Sequence, residues 1–171
     1  MPRVDCSNAS LPDKLSRLVD KYSIPPGLLQ LELTETAYMD NPDFVNNMIC
    51  ELRKRGFRIM MDDFGSGFSS LNTLKDIQVD YLKLDMKFLF SHANDFKSKR
   101  ILSSVVSMAK WLRLKVIAEG VETEEQFDFL KRIRCDYVQG YYFSRPMPAK
   151  EYEEKILPLV RKNPAIEDLE E

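Results

Sequence analysis

Apolar positions along the chain fall into two patterns that take turns. Short apolar or alternating runs at 28–35, 58–61, 80–85, 115–122 and 137–143 predict strands, each closing on polar or charged residues. Between them, apolar residues recur at helical spacing. Leu11, Leu15, Leu18, Val19 and Tyr22 predict a helix over 11–22, which Ile24-Pro25-Pro26-Gly27 stops. Asn41-Pro42-Asp43 opens a second helix through Phe44, Val45, Met48, Ile49 and Leu52, ending at Gly56. Leu71 and Leu74 mark a short third helix. Ile101, Leu102, Val105, Met108, Ala109 and Leu112 form the apolar side of a long fourth, over about 95–112. Thr123-Glu124-Glu125-Gln126 starts a fifth in capping-box fashion, and 150–161 forms the last. Residues 3–7 fit one further short strand.

Strict alternation of strand and helix predicts a parallel sheet built from crossovers and covered by helices. An open doubly wound sheet and a barrel both meet that description, and both bind ligands at the carboxyl ends of their strands. Those ends carry Glu32, Glu35, Asp62, Asp63, Lys83, Asp85, Glu119, Glu122 and Gln139. Gathered on one edge of a sheet, these acids require a cation. No glycine-rich dinucleotide or P-loop fingerprint occurs, which favours the barrel.

The sharpest feature is Ile59-Met60-Met61-Asp62-Asp63-Phe64-Gly65-Ser66-Gly67, an apolar run ending in adjacent carboxylates and a glycine-flanked serine. Neighbouring acids repel unless a cation or a hydrogen-bond network neutralises them. A divalent metal site is one explanation; a strand end running into an aspartate-capped helix is the other.

Composition narrows the field. At 171 residues the chain fits one domain, over 1–162, followed by an acidic tail at 163–171. A net charge of -2 with both signs interspersed argues against a nucleic-acid polymer as partner. No apolar run approaches the roughly 18 residues of a membrane span, so no membrane contact is expected from this chain. Cys6, Cys50 and Cys135 lack metal-like spacing and fit buried free thiols in a reducing, cytoplasmic setting. The single histidine, His92, lies in a polar loop segment.

Leu31-Glu32-Leu33-Thr34-Glu35, Asp62-Asp63-Phe64-Gly65-Ser66-Gly67, Leu82-Lys83-Leu84-Asp85, Ala118-Glu119-Gly120-Val121-Glu122-Thr123 and Gln139-Gly140-Tyr141 through Phe143-Ser144-Arg145-Pro146 resemble, in order and separation, the motifs of EAL-type cyclic di-GMP phosphodiesterase domains. The resemblance implies an α/β fold, a TIM-like (β/α) barrel, and bacterial second-messenger signalling. It also implies hydrolysis of cyclic di-GMP to linear pGpG with Mg²⁺ or Mn²⁺, two ions per complete site. By position, Glu32, Asp62 and Asp63 would be metal ligands. Glu119 would hold the second metal or act as base, and Lys83 would position the attacking water. Glu35 would brace the loop of Gly65, Ser66 and Gly67, while Asp85, Glu122 and Gln139 complete the site. Phe143, Arg145 and Pro146 would contact the substrate, whereas Tyr141 and Tyr142 fit rim packing.

Departures from the family pattern carry expectations of their own. The strand bearing the name-giving Glu-Ala-Leu has no counterpart, and the closest fit to the family's metal-binding Asn-x-Ser is Val4-Asp5-Cys6-Ser7, which puts Asp5 in place of the Asn, with Asn8-Ala9-Ser10 as a second, poorer candidate. The barrel is therefore expected to be incomplete, with about six of eight strands. Its open edges call for a second copy of the chain or a missing N-terminal segment. The alternative functions are a catalytically impaired cyclic di-GMP receptor, a protein-interaction module, or a fragment active only in a longer protein.

Overall fold

The structure is a computed structural model that describes residues 10–64, 71–85 and 96–161. Five parallel strands lie side by side in chain order: β1 (Gln30–Thr34), β2 (Arg58–Asp62), β3 (Tyr81–Asp85), β4 (Lys115–Glu119) and β5 (Tyr137–Val138). An open doubly wound sheet would reverse its strand order at some point; here every strand is followed by its own neighbour, the winding of a barrel. The helices are α1 (Leu11–Lys21), α2 (Glu35–Asp40), α3 (Pro42–Lys54), α4 (Leu71–Asp76), α5 (Phe96–Trp111), α6 (Glu124–Arg132), α7 (Ala149–Lys155) and α8 (Leu157–Arg161).

The period-two alternation of the strands decides which face is covered. Leu33, Ile59, Met61, Leu82, Leu84, Val116 and Ala118 are buried in the core, together with Ile49 and Leu52 of α3, Leu102 and Val106 of α5, and Leu130 of α6. At roughly 1.5–3 kcal/mol per fully buried aliphatic side chain, this layer is the main stabilising force. The opposite face, the inside of the barrel, carries the polar members of each strand. Beneath them Tyr81 and Tyr137 meet with ring centroids 6.0 Å apart.

Local signals account for the element ends. Asn41 Oδ1 accepts from the Phe44 N–H at 3.2 Å, Pro42 opens the first turn of α3, and Arg53 and Lys54 complement its carboxyl end. The Thr123–Gln126 capping box of α6 is fully formed. At the amino ends of the strands one device occurs twice. Asp80, just before β3, accepts from the Ile59 N–H of β2 at 3.0 Å, and Asp136, just before β5, accepts from the Val116 N–H of β4 at 3.0 Å. Each acid ties its strand to the preceding one.

Several expectations need correction. The strand expected over 137–143 stops at Val138, because Gly140 lies against the Val121 backbone and residues 141–143 turn away. The Tyr142 N–H then donates to the Val121 carbonyl at 3.0 Å instead of continuing a ladder. The strand expected over 115–122 ends at Glu119, where Gly120 takes φ 74°. Helix α2 was not expected, since Glu35 read as a strand terminus. The closing helix is two helices meeting at Ile156. Pro158 has no N–H to give to the preceding turn, which breaks the run. The strand expected over 3–7, the acidic tail and His92 lie outside the described residues, so five of the expected strands are on view. Among the described residues no helix is long and apolar enough to cross a membrane.

Candidate functional site at the carboxyl ends of the strands

Lys83, near the end of β3, is a lysine inside the fold, its side chain only 8% exposed. Its position follows from the pleat: Leu82 and Leu84 face the helices, so Lys83 faces the barrel interior, next to Ile117 of β4. There Nζ stands 2.5 Å from Glu32 Oε1 of β1, 2.9 Å from Glu119 Oε1 of β4 and 3.2 Å from Asp62 Oδ1 of β2. Four strands thus meet at one ammonium group. Burial pulls its pKa down, but hydrogen bonds to Glu32 and Glu119 and the nearby charges of Glu119 and Asp62 outweigh that, and the net shift is upward. Lys83 is charged.

Asp63 stands beside this cluster with φ 56°, a left-handed conformation that aspartate tolerates better than most residues, and its N–H donates to Asp62 Oδ1 at 3.0 Å. Desolvation, then the charges of Asp62, Asp85 and Glu32, push its carboxyl above the usual range despite the opposing charge of Lys83. Glu35 is buried at the first residue of α2, directly after β1, and is not a partner of Lys83. Asp85, level with Glu119 in the β3–β4 register, joins Glu119, Glu122, Gln139 and Tyr141 around a cavity of about 260 Å³. A second, wider groove of about 880 Å³ continues from it, lined by Tyr141, Phe143, Arg145, Pro146 and Tyr152 among others. Tyr141 belongs to both walls, and the Arg145 guanidinium lies over its ring at 4.6 Å.

The expected site residues therefore divide into a charged centre of Glu32, Asp62, Lys83 and Glu119, a rim of Asp85, Glu122 and Gln139, and a neighbouring groove of Phe143, Arg145 and Pro146. Asp5, Gly65, Ser66 and Gly67 lie outside the described residues. Sequence reasoning saw Gln126 only as a helix cap and passed over Phe127. Gln126 Oε1 accepts from the Glu122 and Thr123 N–H groups at 2.8 and 3.1 Å, and the Phe127 ring stacks on Tyr142 at 5.4 Å. The capping-box pattern was the available signal for Gln126; nothing local marked Phe127 as a neighbour of residues 142 and 143.

Among the described residues no three acidic, histidine or cysteine side chains close into a ready metal site. The donor set nevertheless fits a hard divalent cation. Among the described residues Glu32, Asp62, Asp63, Asp85 and Glu119 supply carboxylate oxygens at one end of the sheet around the Lys83 ammonium, and desolvation together with the neighbouring acids raises the Asp63 carboxyl. Lys83 holds the centre as the protein's own cation.

Comparison with known proteins gives consistent results. The family described as EAL domain matches residues 4–146. The cyclic di-GMP phosphodiesterase NbdA of Pseudomonas aeruginosa is 40% identical over 146 residues, covering 85% of this chain and 19% of NbdA. Among solved structures, the PaMucR phosphodiesterase in complex with c-di-GMP superposes with a TM-score of 0.81 at 37% identity, covering 88% of this chain and 61% of the other. BlrP1 of Klebsiella pneumoniae, in a manganese and cyclic di-GMP complex, gives 0.75 at 30% identity, covering 82% and 36%. The chain spans between about a sixth and about a third of the length of the first curated relatives it matches.

Proposed function

The chain belongs to the EAL domain family, a family of TIM-like barrels of which it forms a part, and on that premise we propose that it is a metal-dependent phosphodiesterase domain hydrolysing cyclic di-GMP to linear pGpG. The observation that carries the reading is the convergence of Glu32, Asp62 and Glu119 on Lys83 at the carboxyl ends of successive strands. Carboxylates so gathered suit hard cations, and Mg²⁺ or Mn²⁺ is proposed, two per complete site, held by Glu32, Asp62 and Asp63, with Glu119 either holding the second ion or acting as base. Bound there, the ions would supply a nucleophilic water at neutral pH and neutralise phosphate charge.

The chain's own residues do the rest. Where it acts as base rather than ligand, Glu119 accepts a proton from the attacking water, and the Lys83 ammonium, 2.9 Å from that carboxylate, positions the water and offsets negative charge growing on the phosphate. The water oxygen forms a new bond to phosphorus, one bond from phosphorus to a ribose oxygen breaks, and that oxygen leaves with a proton. Phe143, Arg145 and Pro146 line the groove that receives a guanine. The setting is bacterial cytoplasmic signalling. The outer edges of β1 and β5 have no strand partner among the described residues, and a second copy or a segment bearing the Glu-Ala-Leu strand completes the barrel. Light scattering that found a stable, well-folded monomer would count against such association.

A second reading, a cyclic di-GMP receptor without turnover, draws on the same lysine. With Lys83 bonded to Glu32, Asp62 and Glu119, the groove could hold the dinucleotide while the centre stays closed to metal. Incubating the chain with cyclic di-GMP and Mn²⁺ or Mg²⁺, following pGpG by chromatography, decides between them. Product that disappears in Asp62→Ala supports the enzyme; binding without product from folded protein supports the receptor.

A further inference from the structure

We propose that Phe127 is a positioning residue for the ligand-facing wall at residues 140–143, holding that wall to the segment that carries Glu119 and Glu122. The inference rests on the proposed cyclic di-GMP site, but the contacts behind it do not.

Phe127 follows Gln126 in the first turns of α6. Gln126 Oε1 holds the Glu122 and Thr123 N–H groups, and Thr123 Oγ1 accepts from the Gln126 N–H at 3.3 Å, so this end of the helix is locked to residues 122–123. The Phe127 ring then reaches the other segment. It stacks on Tyr142 with centroids 5.4 Å apart and planes 24° apart, and meets Phe143 edge-on at 5.5 Å and 89°. Tyr142 and Phe143 themselves meet at 5.2 Å and 78°. Three rings thus close a triangle whose only member outside the wall is Phe127.

Tyr142 and Phe143 are adjacent in sequence and partly open to solvent, 37% and 55% exposed. Two neighbours on a turn cannot hold each other in place; the common partner on α6 sets where both rings lie. Phe143 lines the wide groove, and Tyr141, the next residue back, stands between groove and acidic cavity. The backbone beneath is close-set, with the Tyr142 N–H on the Val121 carbonyl at 3.0 Å. The wall is thus tied to residue 121 by its backbone and to α6 by its rings, and the contact with Phe127 sets where the Tyr142 and Phe143 rings lie.

Two readouts test this on the full chain. Hydrogen exchange of the peptide covering residues 140–144 should quicken about tenfold in Phe127→Leu, which keeps apolar bulk but loses the ring faces, and return to the wild-type rate in Phe127→Tyr. Cyclic di-GMP binding should weaken about tenfold in Phe127→Leu and recover in Phe127→Tyr, and where turnover is measurable KM should rise while kcat stays within about threefold. Unchanged exchange in Phe127→Leu overturns the positioning role whether or not the ligand binds. Faster exchange with unchanged affinity overturns its link to the ligand. A wild-type chain that does not bind cyclic di-GMP, with exchange still quickened in Phe127→Leu, overturns the function reading and leaves the ring triangle as packing alone.

Discussion

Lys83 of β3 reaches past β2 to Glu32 of β1, placing Nζ 2.5 Å from Oε1, and this contact joins strands that share no backbone hydrogen bond. The lysine brings Asp62 and Glu119 into the same cluster, so one positive charge keeps three carboxylates together.

Removing that charge should destabilise the metal-free chain. Lys83→Met keeps most of the stem but leaves the acids facing one another. Breaking a buried ion pair costs about 3–5 kcal/mol, and the lower end applies because Glu32 is half exposed. Thermal unfolding with and without Mn²⁺ checks this: the variant should melt lower without metal and gain more than wild type when metal is added. Equal melting temperatures without metal would show that Lys83 is not the cluster's counter-charge.

Asp63 should behave in the opposite sense. Its carboxyl is pushed up by desolvation and by Asp62, Asp85 and Glu32, so the folded, metal-free chain holds that proton more tightly than the unfolded chain does. The contribution to stability is then greatest below the ordinary carboxylate pKa and falls as pH rises through the elevated one. Asp63→Asn, which keeps the left-handed backbone at φ 56°, should raise the urea midpoint slightly at pH 7 and leave it unchanged at pH 3. A lower midpoint at pH 7 would contradict this.

Gly140→Ala is expected to be among the most damaging single-methyl changes in the chain. The added Cβ would overlap the nitrogen, carbonyl carbon and oxygen of Val121, all backbone atoms that no rotamer change can move. Overpacking costs typically about 1–3 kcal/mol, which for a chain of this size lowers the melting temperature by several degrees. Val121→Ala should not rescue it, since the clash does not involve that side chain. Calorimetry on the single and double variants is the check.

Cys135 should be a slow thiol. Burial pushes its pKa up, opposed by a backbone hydrogen bond from Tyr137 and aided by the charge of Asp136, and Sγ lies 3.4 Å from the Tyr137 oxygen and 3.6 Å from that of Val116. Alkylation by iodoacetamide at pH 8, followed at this position by peptide mass spectrometry, should run at least ~10-fold slower than for a free cysteine and speed up in urea. Fast labelling of the folded chain would mean that the β4–β5 corner opens readily.

Much was legible in the chain itself. Period-two runs ending in charge placed β1 to β4 within a few residues, because a strand covered on one face must alternate and the acids had to fall at its carboxyl end. Proline and capping signals gave the start of α3 and of α6, since a helix end must satisfy its own N–H groups locally. The acids of the centre, Glu32, Asp62 and Glu119, were identified for the same reason: their place on a strand end is a local property. Tertiary structure decided what those residues meet. Lys83 could have paired with Asp85, its neighbour in sequence; side chains two apart share a face, but the curvature of the sheet brings Glu32, Asp62 and Glu119 around the ammonium. Where β5 ends was set by the approach of Gly140 to Val121, and the association of Phe127 with Tyr142 and Phe143 depends on how α6 docks beside the turn. Contacts between segments distant in sequence have no local periodicity to betray them, and only the packed chain brings them into being.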